Sequence, residues 1–167
     1  MKNKEVHCRL RSRTIDPPCM KTILTIFLLF LGSDLIAQGT FDPVLADQYK
    51  ADEYGMKTYV MAFLKKGPDA DKFSSEERSE IQKGHMANIQ KLSASGKLIL
   101  AGPFIDGQDL RGIFLFDVPT IEEATELTAT DPAIMAGVLT MELKAWYGSA
   151  ALMAIPEIHP KIQEKYF

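Results

Sequence analysis

Residues 57–65 (KTYVMAFLK) constrain the fold more than any other part of the chain, because this segment is apolar on both faces. An extended strand alternates its side chains between two faces. Here one row is Tyr59, Met61 and Phe63, and the other row is Val60, Ala62 and Leu64. Both faces of the sheet that contains this strand must therefore be covered.

The rest of the chain alternates helical and extended patterns. Ser74 followed by Glu77 is a capping box that opens a helix over residues 74–95, and Gly96 ends it in a left-handed conformation. Its inward stripe is Ile81, His85, Ile89 and Leu92, with Asn88 beside it. Thr120 and Glu123 repeat the capping spacing for a second helix, with Ala124, Leu127 and Ile121 inward. Further strands are predicted over residues 97–104, 110–118 and 138–146.

The predicted order is strand–helix–strand–strand–helix–strand, which is the α+β, ferredoxin-like βαββαβ arrangement. Two helices then pack on one face of a four-stranded antiparallel sheet. We expect the other face, with Phe114 and Phe116, to be left uncovered by the chain itself. A second copy placed sheet to sheet would close a dimeric α/β barrel, so a homodimer is predicted.

The first 37 residues are expected to be an overlong start followed by a signal peptide. Its apolar core is residues 22–31, preceded by Lys21, and Ala37 offers a cleavage point. A start at Met20 would make this signal ordinary in length. The expected organisation is then an N-terminal arm at 38–55, a domain at 56–148 and a tail at 149–167. The prediction is export to a bacterial periplasm or the exterior.

Charge and cysteine content exclude several classes of protein. Residues 1–37 hold 6 of the 19 basic and 3 of the 22 acidic side chains, so the remainder carries a formal net charge of −6. Nucleic-acid binding, which needs a clustered basic face, is not expected, nor is membrane attachment after signal cleavage. Both cysteines, Cys8 and Cys19, precede Ala37, so the mature chain has no thiol for a disulfide, a zinc site or a nucleophile.

His85 is the only histidine between the export signal and the tail. Its apolar neighbours one turn away, Ile81 and Ile89, direct the ring toward the core. Asp131, ahead of Pro132, is a carboxylate that could orient it, and such a pair can move a proton near neutral pH. The alternatives remain open at this point: a buried histidine bonded to backbone, and an ordinary Asp-Pro turn.

The chain resembles the YCII-related (YciI-like) domain family of dimeric α/β-barrel proteins over residues 56–146. The residues that carry the resemblance are Lys57-Thr58-Tyr59-Val60, His85, Gly96-Lys97-Leu98, Ala101-Gly102-Pro103-Phe104, Gly112, Asp131-Pro132 and Gly137. The resemblance implies a ferredoxin-like fold, a dimer, and a pocket with a His–Asp pair at His85 and Asp131. Some members resemble dehydrochlorinases, in which the histidine would be the general base of an elimination. The export signal and the tail look like a secreted branch of this family.

Four further residues are candidates for binding a substrate: Tyr59, Asn88, Phe104 and Arg111. Core packing is the competing interpretation for Tyr59 and Phe104, and a solvated position for Arg111. His159 in the tail is expected at the surface. No metal site or cofactor is predicted, since the chain has no glycine-rich phosphate loop, nucleophile elbow or HExxH helix.

Two functions of different class follow. In the first, the protein is a lyase or isomerase that works without a cofactor, with His85 removing a proton from a small organic molecule. In the second, it is a dimer that binds a small ligand, or an accessory protein, without chemistry.

Overall fold

The computed structural model describes residues 39–165, and the predicted export signal and cleavage point lie outside them. The elements, in chain order, are α1 (Pro43–Gln48), β1 (Met56–Lys66), α2 (Ser75–Ala94), β2 (Leu98–Pro103), β3 (Leu110–Phe116), α3 (Ile121–Thr128), α4 (Pro132–Met135), β4 (Leu139–Ser149), a 3₁₀ helix (Ala150–Ala154) and α5 (Ile155–Ile162). The strands form one antiparallel sheet in the order β2-β3-β1-β4. This is the predicted βαββαβ ferredoxin-like fold, so the prediction of the fold class is confirmed.

The start and end of α2 and the start of α3 lie where the sequence predicts. Ser74 accepts the Glu77 amide at 3.2 Å, and the Glu77 carboxylate accepts the Ser74 amide at 2.8 Å, which completes the capping box of α2. Gly96 follows α2 with φ +72, a conformation that costs glycine little. Thr120 caps α3 through the Glu123 amide. Ile121, predicted to face inward, is instead 39 % exposed. Thr128, in the last turn of α3, is buried.

The main core lies between the helices and one face of the sheet. Its buried members are Val60, Ala62, Leu64, Leu92, Leu98, Phe114, Phe116, Val118 and Ala124. The prediction that Phe114 and Phe116 lie on the face away from the helices is wrong. Val60 pairs with Phe116 and Ala62 with Phe114, so both aromatic rings share the helix-covered face with those β1 residues. Because β3 is apolar on both faces, its alternation could not distinguish them.

The second face of the sheet is partly covered by the chain itself. The buried side chains Tyr59, Ile99 and Leu115 form a second cluster, against which Leu152, Met153 and Ile155 pack. Hydrogen bonds attach the start of this segment: the Tyr59 hydroxyl donates to the Ser149 carbonyl at 3.0 Å, the Ala150 amide donates to the Gly55 carbonyl at 2.9 Å, and Lys57 Nζ lies 3.7 Å from Met153 Sδ. The prediction that the chain leaves this face uncovered is therefore wrong in part, because residues 152–155 pack on it.

The two ends of the described chain add short helices. Pro43 occupies the first turn of α1, and Asp42 caps it by accepting the Val44 and Leu45 amides at 3.0 and 3.1 Å. The Asp42-Pro43 pair thus starts a short helix within the predicted N-terminal arm. Across residues 39–165, every helix is too short or too polar to cross a bilayer.

Candidate functional site

His85 lies in the interface between α2 and the sheet. Only 7 % of the residue is exposed. Its ring stacks on Phe114 of β3, with centroids 5.9 Å apart and planes 17° from parallel. The helix stripe predicted from the sequence therefore places this histidine in an apolar contact on one side.

Asp131 is the N-cap of α4 and is fully buried. Its Oδ1 accepts the Ala133 amide at 2.8 Å, and its Oδ2 lies 2.8 Å from His85 Nδ1. Because the cap fixes one oxygen, the other is held at a defined position facing α2. The two residues, 46 positions apart in the chain, meet because α4 packs on α2.

The surroundings of the Asp131 carboxyl favour its ionised form. Burial alone would raise the pKa of Asp131, but the hydrogen bond and positive charge of His85, with the Ala133 and Asn88 donors, hold it below its ordinary value of 3.8. An ionised carboxylate can only accept hydrogen bonds, so the shared proton belongs to His85 Nδ1. The other ring nitrogen, Nε2, is then the one with a free electron pair in the neutral ring.

His85 Nε2 makes no hydrogen bond within residues 39–165. In the same part of the chain, no buried side-chain nitrogen or oxygen lacks a partner. Nε2 is therefore slightly accessible to solvent, consistent with the 9 % exposed fraction of the His85 side chain. One nitrogen is fixed and the other is accessible, which is the arrangement that proton transfer requires.

Asn88 and Thr130 extend the group. Asn88, buried one turn after His85, donates from Nδ2 to Asp131 Oδ2 at 3.4 Å. The Thr130 hydroxyl lies 3.1 Å from Asn88 Oδ1 and can donate to it. Thr130 was not among the residues predicted for the site; its position directly before Asp131 was the only available signal. Asn88, predicted as a substrate contact, is seen here in contact with Asp131.

The other three predicted binding residues lie elsewhere. Tyr59 is on the opposite face of the sheet from Phe114 and His85, buried beneath the tail. Phe104 is 43 % exposed, and its amide donates to the Arg111 carbonyl at 2.8 Å. Arg111 reaches the Gly107 carbonyl at 3.5 Å, in the same hairpin. The structure does not bring these residues into contact with His85 or Asp131.

Within residues 39–165, no group of three or more histidine, cysteine or acidic side chains is placed to hold a metal ion. His159 is exposed on α5. Two hollows in this part of the chain lie along α2 near Met86 and along α5 near Ile158, and neither is lined by His85.

Residues 58–147 match the YCII-related domain family, which covers just over half of the chain. This chain belongs to the YCII-related family. The YCII match includes His85, Asn88, Thr130 and Asp131, whereas α1, the 3₁₀ helix and α5 fall outside it. The segment that covers the second sheet face is therefore an addition to the YCII domain.

Two known proteins are similar to this YCII chain. The Bacillus subtilis (strain 168) protein named "Uncharacterized protein YjpA" is 29% identical over 91 residues, which span 54% of this chain and 95% of that protein. The solved structure of 5-chloro-2-hydroxyhydroquinone dehydrochlorinase (TftG) from Burkholderia phenoliruptrix AC1100, in complex with 2,5-dihydroxybenzoquinone, is 15% identical with a TM-score of 0.39. That similarity covers 54% of this chain and 93% of the other.

Proposed function

We propose that this protein is a proton-transfer enzyme of the lyase or isomerase type that acts on a small organic molecule without a cofactor. The observation that carries the proposal is the 2.8 Å contact between His85 Nδ1 and the buried Asp131 Oδ2, with Nε2 left free. Nε2 would be the general base, and Asp131 would orient the ring. A base of this kind contributes about 10²–10⁴-fold to a rate.

The environment of the pair suits a base that becomes charged during the reaction. When Nε2 takes a proton, the imidazolium forms next to a carboxylate with no solvent exposure, so the attraction between them is weakly screened. In an elimination, Nε2 would take a proton from carbon, the C–H electron pair would form a new C=C bond, and the leaving group would depart as an anion. The proton would then pass from Nε2 to water.

A second candidate function is ligand binding without chemistry. It is favoured by the small exposure of His85 and by the position of the two hollows, which lie away from it. In that case the His85–Asp131 pair joins α2 to α4 as a structural contact.

The two candidates are separated by exchange of carbon-bound protons. The purified protein would be incubated in D₂O with a panel of small carbon acids and chlorinated dihydroxybenzenes, and deuterium incorporation and chloride release would be followed. His85→Gln should abolish any activity while the circular dichroism spectrum is unchanged. His159→Gln, at the exposed histidine of α5, is the matched control and should retain it. Activity that survives in His85→Gln would exclude His85 as the base.

We also propose that the protein is a homodimer. On the second sheet face, beside the tail, Met61, Phe63 and Ile113 are half-buried and Trp146 is 37 % exposed. The Lys65–Glu142 and Lys144–Glu142 ion pairs flank this apolar region. An apolar centre with a charged rim is typical of a surface that pairs with another protein surface, and a second copy would face it sheet to sheet.

Finally, we propose that the protein is exported and that its mature form begins after Ala37. The supporting pattern is the basic, apolar and small-residue sequence before that position. Mass spectrometry of the protein from a bacterial culture should find an N-terminus at Gln38 outside the cytoplasm. An intact N-terminus in the cytoplasmic fraction would contradict export.

A further inference from the structure

Gly84 occupies the position in α2 directly before His85, at the place where α2 meets α4. A Cβ atom added to Gly84 would lie 2.9 Å from Pro132 Cγ and 3.1 Å from Pro132 Cβ. Two carbon atoms in contact are normally about 3.5–4.0 Å apart. The helices therefore approach here more closely than a side chain at position 84 would allow.

This close contact is connected to the His–Asp pair by peptide bonds on both sides. Gly84 precedes His85, and Pro132 follows Asp131. Asp131 and Pro132 are both bonded into the single turn of α4, since the Asp131 carbonyl accepts the Met135 amide at 2.9 Å and the Pro132 carbonyl accepts the Ala136 amide at 3.0 Å. A displacement of Pro132 therefore displaces Asp131 with it.

The size of the displacement can be compared with the bond it affects. An alanine at position 84 needs roughly 0.6 Å more space to restore an ordinary carbon–carbon contact. The same shift would take the 2.8 Å contact between His85 Nδ1 and Asp131 Oδ2 beyond the range of a charge-assisted hydrogen bond, about 2.7–2.9 Å.

We propose that Gly84 is a positioning residue: its contact with Pro132 sets the distance between His85 and Asp131, and so the orientation of the base. This inference rests on the proposed function for its effect on turnover, but its geometric part does not. Helix propensity alone predicts that Gly84→Ala stabilises the protein, because alanine is favoured over glycine in a helix interior. The contact with Pro132 predicts instead that Gly84→Ala disturbs the bond between His85 and Asp131, so this variant decides between the two explanations.

The experiment uses the full chain and observes the Nδ1 proton of His85 directly. In the wild type, this proton should give a downfield NMR resonance that exchanges slowly with water. Gly84→Ala should lose or shift that resonance. Lys83→Ala, at the exposed neighbouring position, is the matched control and should keep it, since the Lys83 side chain pairs with Glu80 on the exposed side of α2.

A double variant tests whether the contact with Pro132 is the cause. Gly84→Ala combined with Pro132→Gly removes both ring atoms that the new Cβ would meet, and should restore the resonance. If Gly84→Ala alone does not fold, recovery of the fold and the resonance in the double variant supports the same conclusion. A Gly84→Ala protein with the wild-type resonance and a higher melting temperature would overturn the proposal.

Turnover distinguishes this inference from the proposed function. If both hold, Gly84→Ala should lower turnover in the D₂O exchange assay by at least about tenfold, as small misplacements of catalytic groups do. A lost resonance with unchanged turnover would leave the positioning role intact and contradict the role of His85 as base. An unchanged resonance with lost turnover would contradict the positioning role alone.

Discussion

The buried carboxylate of Asp131 should contribute more to stability than an ordinary helix cap. It accepts the Ala133 amide, as a cap does, and also the bonds from His85 and Asn88. Loss of a cap costs about 1 kcal/mol, and loss of a hydrogen bond to a charged group costs about 1.5–3 kcal/mol. Asp131→Ala should therefore lower the free energy of unfolding by about 3 kcal/mol.

Asp42→Ala is the matched control for this prediction. Asp42 is also a helix cap, accepting two amides of α1, but it is exposed and has no histidine partner. It should lose only about 1 kcal/mol. The difference between the two variants, about 2 kcal/mol, measures what the contacts to α2 add to the cap.

Urea unfolding at neutral pH and a fixed protein concentration is the assay. With slopes of about 1–3 kcal/mol per molar, the midpoint of Asp131→Ala should fall by roughly 1–3 M. An Asp131→Ala midpoint no lower than that of Asp42→Ala would refute the reasoning, because the bonds to His85 and Asn88 would then add nothing.

Three other measurements probe separate parts of the molecule. The pKa of Asp131 lies below its ordinary value of 3.8, so the stabilisation by its carboxylate is present above pH 3.8 and is lost as the pH falls through the folded-state pKa. The difference in unfolding free energy between wild type and Asp131→Asn should therefore narrow below pH 3.8. A difference that stays constant would contradict this. Burial, with the charge of Asp117, raises the pKa of Tyr59 to about 12. The stabilisation by the neutral Tyr59 hydroxyl is therefore complete below pH 10, and up to roughly 3 kcal/mol of unfolding free energy should be lost as the pH rises to 12. Tyr59→Phe should not show this loss in alkaline unfolding curves. Phe63→Lys should convert the proposed dimer to a monomer in light scattering, whereas Ile105→Lys, at a fully exposed position, should remain dimeric; a wild-type monomer would exclude the dimer.

The fold was predictable because local signals agreed along the chain. The capping residues Ser74 and Thr120 and the stop at Gly96 set both ends of α2 and the start of α3 to within a residue. The apolar row of β4, from Leu139 to Ala145, pairs with the helix-covered side of β1 as its alternation indicates. The caps and the stop are local contacts, and the apolar face of β4 is set by the alternation within that strand, so the sequence pattern is sufficient for both.

What could not be predicted depended on contacts between distant segments. Alternation cannot assign the faces of a strand that is apolar on both, so the positions of Phe114 and Phe116 follow only from the register with β1. The cover over Tyr59 comes from residues 152–155, almost a hundred positions away. Similarly, the sequence offers His85 and Asp131 as separate candidates, and only the packing of α4 on α2 brings them together.

The position of the ring proton on His85 tests the central claim most directly. A long-range ¹H–¹⁵N correlation spectrum of the wild-type protein distinguishes the two neutral forms of the imidazole. A proton on Nδ1, with Nε2 unprotonated, is expected from the bond to Asp131. A proton on Nε2, in a ring that is not bonded to Asp131, would contradict the account, because Nε2 would then have no electron pair with which to act as the base.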